Sequence, residues 1–421
     1  MSNWPNTADV VVIGGGVAGL STAMQLAMRD CRVVVLERQQ LGNGSSGRAA
    51  GLLGQLRGTA ESTRMLMDGV NIVRELEGQA GVEIFVQTGS LRIADTLARA
   101  QEIKDLVEMG KSIGFEIDHM AIDDVARSLP YMKTDGLVDA CYCPTDGHLQ
   151  PAELVAAYLH VGRERGVHCE SQCPVEEILV ADNRVGGVKT QRGTIAAPVV
   201  VNAAGPWSYL VAGLTQTPLQ TAALGHVYLT TRPDPERPID PRSPAIRDRQ
   251  LRLYARPETG GLIVGMYAEE TTLFDMQSLP SGFDMSAMKV RRDDLQVARL
   301  IDAVHQRYPW IDERTPMTMT TGIMTFTPDG KPLCGKLPDI DGLFYCSGFC
   351  GHGIVQSPTI GVIMADLILA GQTDYDIGAI EADRFWDLPG FQERDRIGRL
   401  CDQMHASYYG KIEGQQGAQT G

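Results

Sequence analysis

Short runs of consecutive apolar residues alternate with stretches of helical spacing at the beginning, in the middle and near the end of the chain. The runs at 9–13 (DVVVI) and 32–36 (RVVVL) are rich in β-branched residues and are typical of strands buried on both faces. A helical stretch at about 17–29 separates them, and similar apolar runs follow at 198–203 and 343–346. This order is that of a βαβ unit, and it indicates a parallel sheet covered by helices.

Other patterns fill the segments between these runs. Strand-like alternation extends from 218 to 270 and includes HVYLTT and LIVGMY. Helical spacing marks 97–113, 150–166, 287–307 and about 356–370. We therefore predict that distant parts of the chain together build the parallel sheet, and that the alternating segments build a second, separate unit.

The glycines between the first strand and the first helix follow the pattern Gly-x-Gly-x-x-Gly. Gly14 would form the tight turn, Gly16 would let the backbone approach a pyrophosphate, and Gly19 would let the helix pack on the strand. Glu37 comes 18 residues after Gly19, where a carboxylate accepts hydrogen bonds from ribose hydroxyls. The pattern predicts dinucleotide binding, but this motif alone leaves NAD, FAD and a Gly-rich turn without a ligand open.

Composition excludes several classes of partner. The 421 residues include 38 Lys and Arg against 52 Asp and Glu, a formal net charge of −14. A chain this acidic does not attract phosphate backbones or anionic lipid, so we expect neither nucleic acid nor a membrane surface as a partner. The 9 cysteines lack CxxC spacing, which predicts reduced thiols and no metal site. The first residues lack the features of a signal peptide and no long uncharged apolar stretch occurs, so we expect a cytoplasmic protein without a membrane span.

Three further segments have the small residues that a bound cofactor requires. The segment 41–51 (LGNGSSGRAAG) offers hydroxyls and small side chains after the second strand, although a flexible loop is the alternative. The segment 199–208 ends a strand in small residues that permit close packing on a ligand. The Gly-rich turn at 347–353 precedes the last long helix, whose N-terminus would stabilise negative charge on a reduced flavin.

These segments occur in the order found in the D-amino acid oxidase superfamily of FAD enzymes, which the chain resembles. The resemblance rests on GGGVAGL, SSGRAAG, YCPTDGHLQP, VVNAAGPWS, TPDGKPLCG and SGFCGHGI. Within that superfamily, RLYARPETGGLIVGMYAEE, MTTGIMTFTPDGKPLCG and DIGAIEADRF resemble the FAD domain of dimethylglycine and sarcosine dehydrogenases. The resemblance covers roughly 8–390.

The resemblance implies an α/β fold of two interleaved domains. One is a Rossmann-like, three-layer FAD-binding domain, and the other is a substrate domain of antiparallel β-sheet plus helices that lies over the flavin. We assign 1–83, 147–217 and 320–390 to the FAD-binding domain, 84–146 and 218–319 to the substrate-binding domain, and 391–421 to a C-terminal tail whose last part, 411–421, is expected to be disordered.

The matching motifs also imply which residues contact FAD. The expected contacts are Gly14, Gly16, Val17, Ala18, Gly19, Glu37, Arg38, Ser45, Ser46, Arg48, Ala49, Ala50, Gly51, Leu52, Val175, Ala203, Ala204, Gly205, Trp207, Gly322, Gly348, Gly351, His352, Gly353 and Ile354.

The chain departs from the family pattern at several positions. Gly322 stands where covalent sarcosine oxidases carry a flavin-linking Cys, and 38–60 contains no His, so FAD is expected to be bound non-covalently. Met324 stands where glycine oxidases place a carboxylate-binding Arg, and Val355 where small sarcosine oxidases have a Lys. Either another residue binds a substrate carboxylate, or the substrate is not a simple short amino acid.

The resemblance places two candidate catalytic residues near the flavin, His226 and Tyr254. A near-neutral pKa would suit His226 for proton exchange with an amine, and the alternative for both residues is core packing. Arg48, Arg252 and Arg256 are the guanidinium groups available for a carboxylate, unless they are solvated at the surface. The expected substrate contacts are Met324, Arg256 and Val355.

The function implied by this resemblance is oxidation of a secondary or tertiary amine, such as an N-alkyl amino acid. A hydride would pass from the carbon beside nitrogen to flavin N5, and water would hydrolyse the imine. The electron acceptor is open between oxygen, a quinone and a flavoprotein, and an oligomeric partner is not excluded. The alternatives are a FAD-carrying subunit of a multi-subunit amine dehydrogenase or oxidase complex and, less favoured because of the later Gly-rich turns, an NAD(P)-dependent dehydrogenase.

Overall fold

The computed structural model of the chain describes residues 4–280, 282–289 and 294–410. Within these ranges the helices are α1 (Val17–Ala27), α2 (Ala60–Ala80), α3 (Leu97–Ser112), α4 (Ile122–Ser128), α5 (Pro151–Glu164), α6 (Ser208–Gly213), α7 (Leu295–Arg307), α8 (Gly353–Ala370) and α9 (Arg394–Ser407). The strands are β1 (Val10–Ile13), β2 (Val33–Leu36), β3 (Leu52–Leu53), β4 (Phe85–Val86), β5 (Ser90–Ala94), β6 (Asp118–His119), β7 (Asp139–Cys143), β8 (Gly147–Leu149), β9 (His168–Glu170), β10 (Val175–Ala181), β11 (Arg184–Thr190), β12 (Gly193–Ala196), β13 (Val199–Asn202), β14 (Ala222–Thr231), β15 (Ala245–Asp248), β16 (Leu253–Glu258), β17 (Gly261–Met266), β18 (Leu273–Phe274), β19 (Met317–Phe326), β20 (Leu333–Lys336) and β21 (Leu343–Ser347).

The apolar runs of the sequence form the centre of the first domain. Its sheet has the order β20-β21-β13-β1-β2-β9, and β1 pairs in parallel with both β2 and β13. All residues of β1 and β2 are buried, as expected for strands covered on both faces. Helices α1, α5 and α8 cover one face, and the small antiparallel sheet β10-β11-β12 packs against the other. These three layers confirm the predicted α/β class with a Rossmann-like domain.

The second domain is built on a larger, mainly antiparallel sheet. Its strand order is β18-β14-β17-β16-β15-β5-β7-β6, and β19 pairs with β14 over its whole length. Helices α4 and α7 bury apolar side chains against one face, among them Val125, Val297 and Leu300. The other face is turned toward the first domain. Strand β19 (Met317–Phe326) extends across the expected domain limit between 319 and 320. The domain boundaries given by the sequence analysis stay a prediction.

Helix α2 was not predicted from the pattern of apolar residues. Its buried stripe contains small or polar residues, including Thr63 and Gly69, which weakens the periodic signal. A Cβ on Gly69 would lie 3.0 Å from Thr359 Oγ1 of α8, so the glycine permits a close helix–helix contact. The capping residues were a usable signal, because the Thr59 side chain accepts a hydrogen bond from the Ser62 amide and Gly81 ends the helix in a left-handed conformation.

The segment expected to be a C-terminal tail contains helix α9, which corrects that interpretation for 394–407. The helix buries Ile397, Gly398, Cys401 and His405 against β14 and β19. This packing gives the helix a structural role in the second domain. The expected disorder of 411–421 lies outside the described residues, as do 290–293 in front of α7.

Helix α8 is the helix of the described residues that is long and apolar enough to cross a membrane. Just over half of it is buried inside the fold, where it packs against α1 and α2. Asp366 and the proline at 358 interrupt its apolar sequence. The neighbouring helices cover the apolar surface of α8, as is typical of the core helix of a large domain.

The glycine turn at the start of α1 depends on close backbone contacts. Gly14 has a φ of +115°, and a Cβ on it would lie 2.3 Å from the carbonyl oxygen of Ala203. A Cβ on Gly19 would lie 2.1 Å from the carbonyl oxygen of Gly14. At Gly16 the nearest atom is Ser46 Oγ, 3.2 Å from such a Cβ. Gly14 and Gly19 therefore serve the fold, whereas Gly16 keeps open the space in front of the helix.

Alanine substitutions should separate these two roles. We expect Gly19→Ala to destabilise the protein by about 2–3 kcal/mol, because two backbone segments would overlap, and to lower the melting temperature or the soluble yield. Gly16→Ala should lose the flavin absorbance of the purified protein, because its methyl group occupies the approach to a pyrophosphate, and it should melt at the temperature of native protein stripped of FAD. Equal flavin content in native protein and Gly16→Ala would contradict this placement of the cofactor.

Candidate active site

A cavity of about 410 Å³ lies between the two domains. It extends from the carboxyl ends of β1, β2 and β13, past the N-termini of α1 and α8, to the face of the larger sheet formed by β14, β16 and β19. In open α/β sheets ligands bind outside the carboxyl ends of the parallel strands, where this cavity begins. The cavity therefore joins a nucleotide-binding position to the second domain.

The α1 end of the cavity is held open by hydrogen bonds to backbone amides. Gly16 is the N-cap of α1 and has no side chain, and Ser46 Oγ accepts a hydrogen bond from the Val17 amide at 3.1 Å. The two oxygens of Glu37 accept from the amides of Gly15 at 2.9 Å and Gln39 at 2.7 Å. Burial raises the pKa of Glu37 although these N–H donors favour its charged form.

The loop that follows the second strand is fixed at several points. Ser45 Oγ donates to the carbonyl of Ile323 on β19 at 2.6 Å, which ties the loop to the second domain. The Arg48 guanidinium donates to the carbonyls of Asn43 and Gly44, and it lies 3.9 Å from an oxygen of Asp284. Arg48 therefore lines the cavity while its Nη1 holds the loop, which is an ordered part of the site.

The turn at 348–353 brings the N-terminus of α8 to the cavity. Gly348, Cys350 and Gly351 all have positive φ, at +75°, +52° and +83°, so the chain reverses tightly before the helix. For Cys350 this conformation carries backbone strain. His352 Nδ1 lies 2.9 Å from the carbonyl oxygen of Cys350 and 3.2 Å from the Tyr408 hydroxyl. The helix terminus can thus stabilise negative charge in the cavity.

These features fit a flavin dinucleotide. All of the expected FAD contacts except Gly19 and Gly348 line the cavity. Gly19 lies in the first turn of α1. Gly348 begins the turn at 348–353, and a Cβ on it would lie 2.5 Å from Thr327 Cγ2. Arg38 stacks on Trp207, with its guanidinium carbon 4.5 Å from the ring centroid. At Gly322 there is no side chain to link a flavin covalently, in keeping with non-covalent binding.

His226 and Tyr254 meet at the other end of the cavity. His226 Nε2 lies 2.7 Å from the Tyr254 hydroxyl, and both residues line the cavity. In the β14–β19 pairing His226 lies opposite Gly322, and a Cβ on Gly322 would lie 3.2 Å from Arg48 Cδ, so the glycine admits the Arg48 side chain beside this pair. The Tyr254 ring lies over Gly265 of β17, where a Cβ would be 2.1 Å from the ring. The structure therefore joins the two predicted residues in one hydrogen-bonded pair.

Additional aromatic residues that were not predicted surround this pair. Tyr267 lies beside it, with ring centroids 5.3 Å from His226 and 6.1 Å from Tyr254. Tyr409 lines the cavity and lies 4.7 Å from Tyr267, while His405 of α9 lies 6.5 Å from His226. The alternation in LIVGMY could have indicated Tyr267, because it lies two positions after Gly265. Nothing in the sequence around 405–409 indicated that this segment returns to the site.

A buried ion cluster fixes the position of Tyr409. Arg99 pairs with Glu102 at 2.7 Å and donates to the carbonyls of Tyr409 at 3.0 Å and Gly410 at 2.9 Å. Arg249 lies 3.2 Å from the other oxygen of Glu102 and donates to the Tyr409 carbonyl at 3.4 Å. Both arginines and Glu102 are buried. The cluster thus attaches the end of the described chain to the wall of the cavity.

The ring cluster is electrically neutral. Burial, with a smaller effect of His405, lowers the pKa of His226 to about 3, and burial lowers that of His405 to about 4. Burial also raises the pKa of Tyr254 and Tyr267 well above the ordinary value. The expected near-neutral pKa of His226 is therefore corrected, because protein surrounds the ring on all sides except the cavity. His226 can exchange hydrogen bonds with a ligand but does not store a proton near pH 7.

Two of the three residues expected to contact substrate line the cavity, and the third does not. Met324 and Val355 line the cavity. Arg256 does not line it: the side chain is buried, is paired with Glu258 at 2.5 Å and donates to the carbonyls of Ala50 and Pro257. Arg252 also lies outside the cavity lining and pairs with Glu269 at 2.5 Å. The geometry thus does not support a substrate role for Arg256 or Arg252, whereas Arg247, which was not predicted, lines the cavity.

The cysteines and acidic residues show no second type of site. The cysteines at all 9 positions are described by the structure and are free thiols. Among the described residues no group of three or more His, Cys, Asp or Glu side chains could hold a metal ion. The chemistry of this part of the chain therefore centres on the cavity.

The buried histidines should make stability depend on pH. His148, His226 and His405 have pKa values lowered to about 4, 3 and 4, so they stay neutral in the folded protein while the unfolded chain binds protons near pH 6.5. The free energy of unfolding is therefore expected to fall as pH decreases below 6.5. Chemical denaturation at pH 7 and 5.5 should show that His405→Asn reduces this loss by about 1 kcal/mol. The matched control His160→Asn, at an exposed position, should retain the native pH dependence, and an unchanged loss in His405→Asn would show that burial there was misjudged.

The sequence is similar to curated enzymes over most of its length. Sarcosine dehydrogenase, mitochondrial, of Homo sapiens is 32% identical over 391 residues, which are 90% of this chain and 42% of that protein. Dimethylglycine dehydrogenase, mitochondrial, of Rattus norvegicus is 27% identical over 404 residues, 93% of this chain and 46% of that protein. The chain thus spans less than half the length of these relatives.

The fold is similar to that of solved flavoenzyme structures. The crystal structure of L-proline dehydrogenase from P. horikoshii superposes with a TM-score of 0.80 at 23% sequence identity, and the match covers 91% of this chain and 99% of that one. The model of the family described as FAD dependent oxidoreductase matches residues 9–367. This match and the two relatives confirm the predicted resemblance. The chain therefore belongs to the family of FAD dependent oxidoreductases, and FAD is its cofactor.

Proposed function

We propose that this chain oxidises a secondary or tertiary amine of the N-alkyl amino acid type. The observation that carries the proposal is the continuous cavity that begins at the Gly-rich turn of α1 and ends at the hydrogen-bonded His226–Tyr254 pair. A site that holds a flavin at one end and neutral aromatic donors at the other is suited to redox chemistry on a small, uncharged amine. The similarity to enzymes named for sarcosine and dimethylglycine supports this substrate class.

The cofactor end is formed by the α1 and α8 termini, Glu37, Arg38 and the loop at 43–52. FAD, when bound there, supplies the acceptor for the hydride from the carbon beside the amine nitrogen. The protein orients the two partners: the loop is tied to β19 through Ser45, and β19 pairs with the strand that carries His226. The distance between the cofactor end and the amine end is thereby fixed by the sheet.

The substrate end favours an amine without charge. His226 is neutral at physiological pH, and Tyr254 and Tyr267 keep their protons because burial raises the pKa of each. Of the described residues that line the cavity only Glu37 is acidic, and it lies at the other end. An ammonium group would lose solvation there without a compensating carboxylate, so its pKa would fall and the neutral amine would be favoured. The His226–Tyr254 pair can then hydrogen-bond the nitrogen.

A second candidate is a FAD-carrying part of a larger amine dehydrogenase or oxidase. The relation of this chain to relatives more than twice as long favours it, since the matched region is under half of each. In that case the isolated chain would show flavin reduction by substrate but no sustained turnover with oxygen or small quinones. Turnover by the isolated chain would favour the first candidate.

Removing one hydrogen-bonding group from the pair should slow the reaction. We expect Tyr254→Phe and His226→Ala to decrease the rate of anaerobic flavin reduction by about tenfold to hundredfold, because a hydrogen bond to a polarised group is worth about 1.5–3 kcal/mol. FAD content and melting temperature should stay near those of the native protein. Early melting together with an unchanged reduction rate would instead identify the pair as core packing.

The lining at Met324 and Val355 should disfavour the smallest substrates. A larger apolar substituent would bury its surface against these two side chains, whereas the short sarcosine would leave them uncovered. We therefore expect bulkier N-methyl or cyclic amino acids to reduce the flavin faster than sarcosine does. The measurement is a stopped-flow series without oxygen at one pH, and the fastest reduction by sarcosine would contradict this interpretation of the two positions.

A further inference from the structure

The charges along the cavity are unequal. Of the described residues that line it, Arg38, Arg48 and Arg247 are cationic, and Glu37 is the acidic one. Arg38 stacks on Trp207 beside Glu37, and Arg48 holds the loop at 43–48. Arg38 belongs to the cofactor end, Arg48 packs against Gly322 while its Nη1 donates to the loop, and Arg247 lies on strand β15 of the larger sheet. An unbalanced cation at the substrate end requires a separate explanation.

Arg247 lies on the same face of the sheet as the His226–Tyr254 pair. In the antiparallel pairing of β15 with β16, Arg247 is the direct partner of Tyr254. Directly opposite residues project their side chains to the same side of a sheet, about 5 Å apart at Cβ. The guanidinium also lies against Gly54, where a Cβ would be 2.8 Å from Nη2 and 3.2 Å from Cζ. Gly54 therefore makes room for the guanidinium at the cavity wall.

The donors of Arg247 are not used by the described protein. In the part of the chain that the structure describes, the Arg247 side chain makes neither a hydrogen bond nor an ion pair. The acidic groups near it along the sheet are engaged elsewhere: Asp248 pairs with Arg307 at 2.7 Å, and Glu258 pairs with Arg256 at 2.5 Å. A half-buried guanidinium with five N–H donors thus faces the cavity without a protein acceptor.

A second arginine increases the positive potential at this position. In the parallel pairing of β15 with β5, Arg247 is the partner of Arg92. Arg92 is 5% exposed, and its guanidinium donates to the Leu56 carbonyl at 2.6 Å. The pairing thus places two guanidinium groups on neighbouring strands at this point of the sheet.

We propose that Arg247 binds the carboxylate of the substrate and thereby places its amine at the His226–Tyr254 pair. This inference rests on the proposed amine oxidation. A guanidinium binds a carboxylate through two parallel N–H···O hydrogen bonds, which fix orientation as well as distance. Arg247 would supply the cation for a substrate carboxylate, which the sequence analysis assigned to no residue, since the resemblance implies that Met324 and Val355 stand in place of cations. The substrate is accordingly an amine that also carries a carboxylate.

The test uses an acid that cannot be oxidised and its uncharged analogue. Pyrrole-2-carboxylate and pyrrole-2-carboxamide have nearly the same shape, and their binding to the FAD-loaded full chain can be followed by the change in flavin absorbance. We expect the native protein to bind the acid at least about tenfold more tightly. In Arg247→Met the Kd of the acid should rise by about tenfold to hundredfold, while that of the carboxamide should change by less than about threefold. Arg247→Lys should bind the acid with intermediate affinity, because it keeps the charge without the two-pronged geometry.

The matched control is Arg242→Met, which removes the same charge from an exposed position five residues before Arg247. It should bind both compounds as the native protein does. Equal affinity of the native protein for acid and carboxamide would overturn the proposal. An unchanged Kd for the acid in a folded, FAD-loaded Arg247→Met variant would do the same, and loss of FAD from that variant would assign the arginine to the cofactor instead.

The two proposals fail in different experiments. If no amine reduces the flavin but Arg247 still discriminates acid from carboxamide, the proposed oxidation is wrong and the carboxylate site stands. If N-alkyl amino acids and the corresponding amines without a carboxylate reduce the flavin at equal rates and with equal Kd, the oxidation stands and the role of Arg247 is wrong.

Discussion

The pairing of β14 with β19 is the constraint on which the site depends. It runs without interruption from Ala222–Phe326 to Thr231–Met317 and fixes which side chains face the cavity. A shift by one residue would turn His226 to the opposite face, because side chains alternate along a strand. The same register places Gly322 opposite His226 and so admits the Arg48 side chain, whose Cδ would lie 3.2 Å from a Cβ at Gly322. The pairing also connects the two domains, because the Ser45 hydroxyl of the loop beside α1 donates to β19 at Ile323.

Electrostatics divide the cavity into two ends. At the cofactor end, helix termini and amide donors meet Glu37 and Arg38. At the other end, burial keeps His226, Tyr254 and Tyr267 neutral, and the positive charge comes from Arg247 and from Arg48, which packs against Gly322. A substrate with a neutral amine and a carboxylate requires an apolar surrounding next to a cation. The apolar surrounding favours the uncharged nitrogen, and the cation pairs with the carboxylate.

The end of the described chain completes the site. Helix α9 brings His405 behind His226, and Tyr409 forms part of the cavity wall. Arg99 of α3 and Arg249, which follows β15, donate to the Tyr409 carbonyl, and Glu102 pairs with both arginines. Their ion pairs are buried, so loss of one partner would leave an uncompensated charge and cost about 3–5 kcal/mol. The position of Tyr409 is therefore strongly fixed, although it lies in a segment without any recognisable motif.

The sequence by itself determined the parallel sheet and the cofactor. These features depend on local sequence. Consecutive β-branched residues in β1 and β2 are typical of a strand covered on both faces, and the tight turn between β1 and α1 requires glycine. Family motifs then indicated FAD, His226 and Tyr254. The tertiary structure decided the pKa of His226, the burial of Arg256, the presence of Arg247 in the cavity and the return of Tyr409 to the site. These properties depend on neighbours far apart in the chain, such as Arg247 beside Tyr254 and Arg92, because burial and charge balance arise only when the strands have been placed side by side.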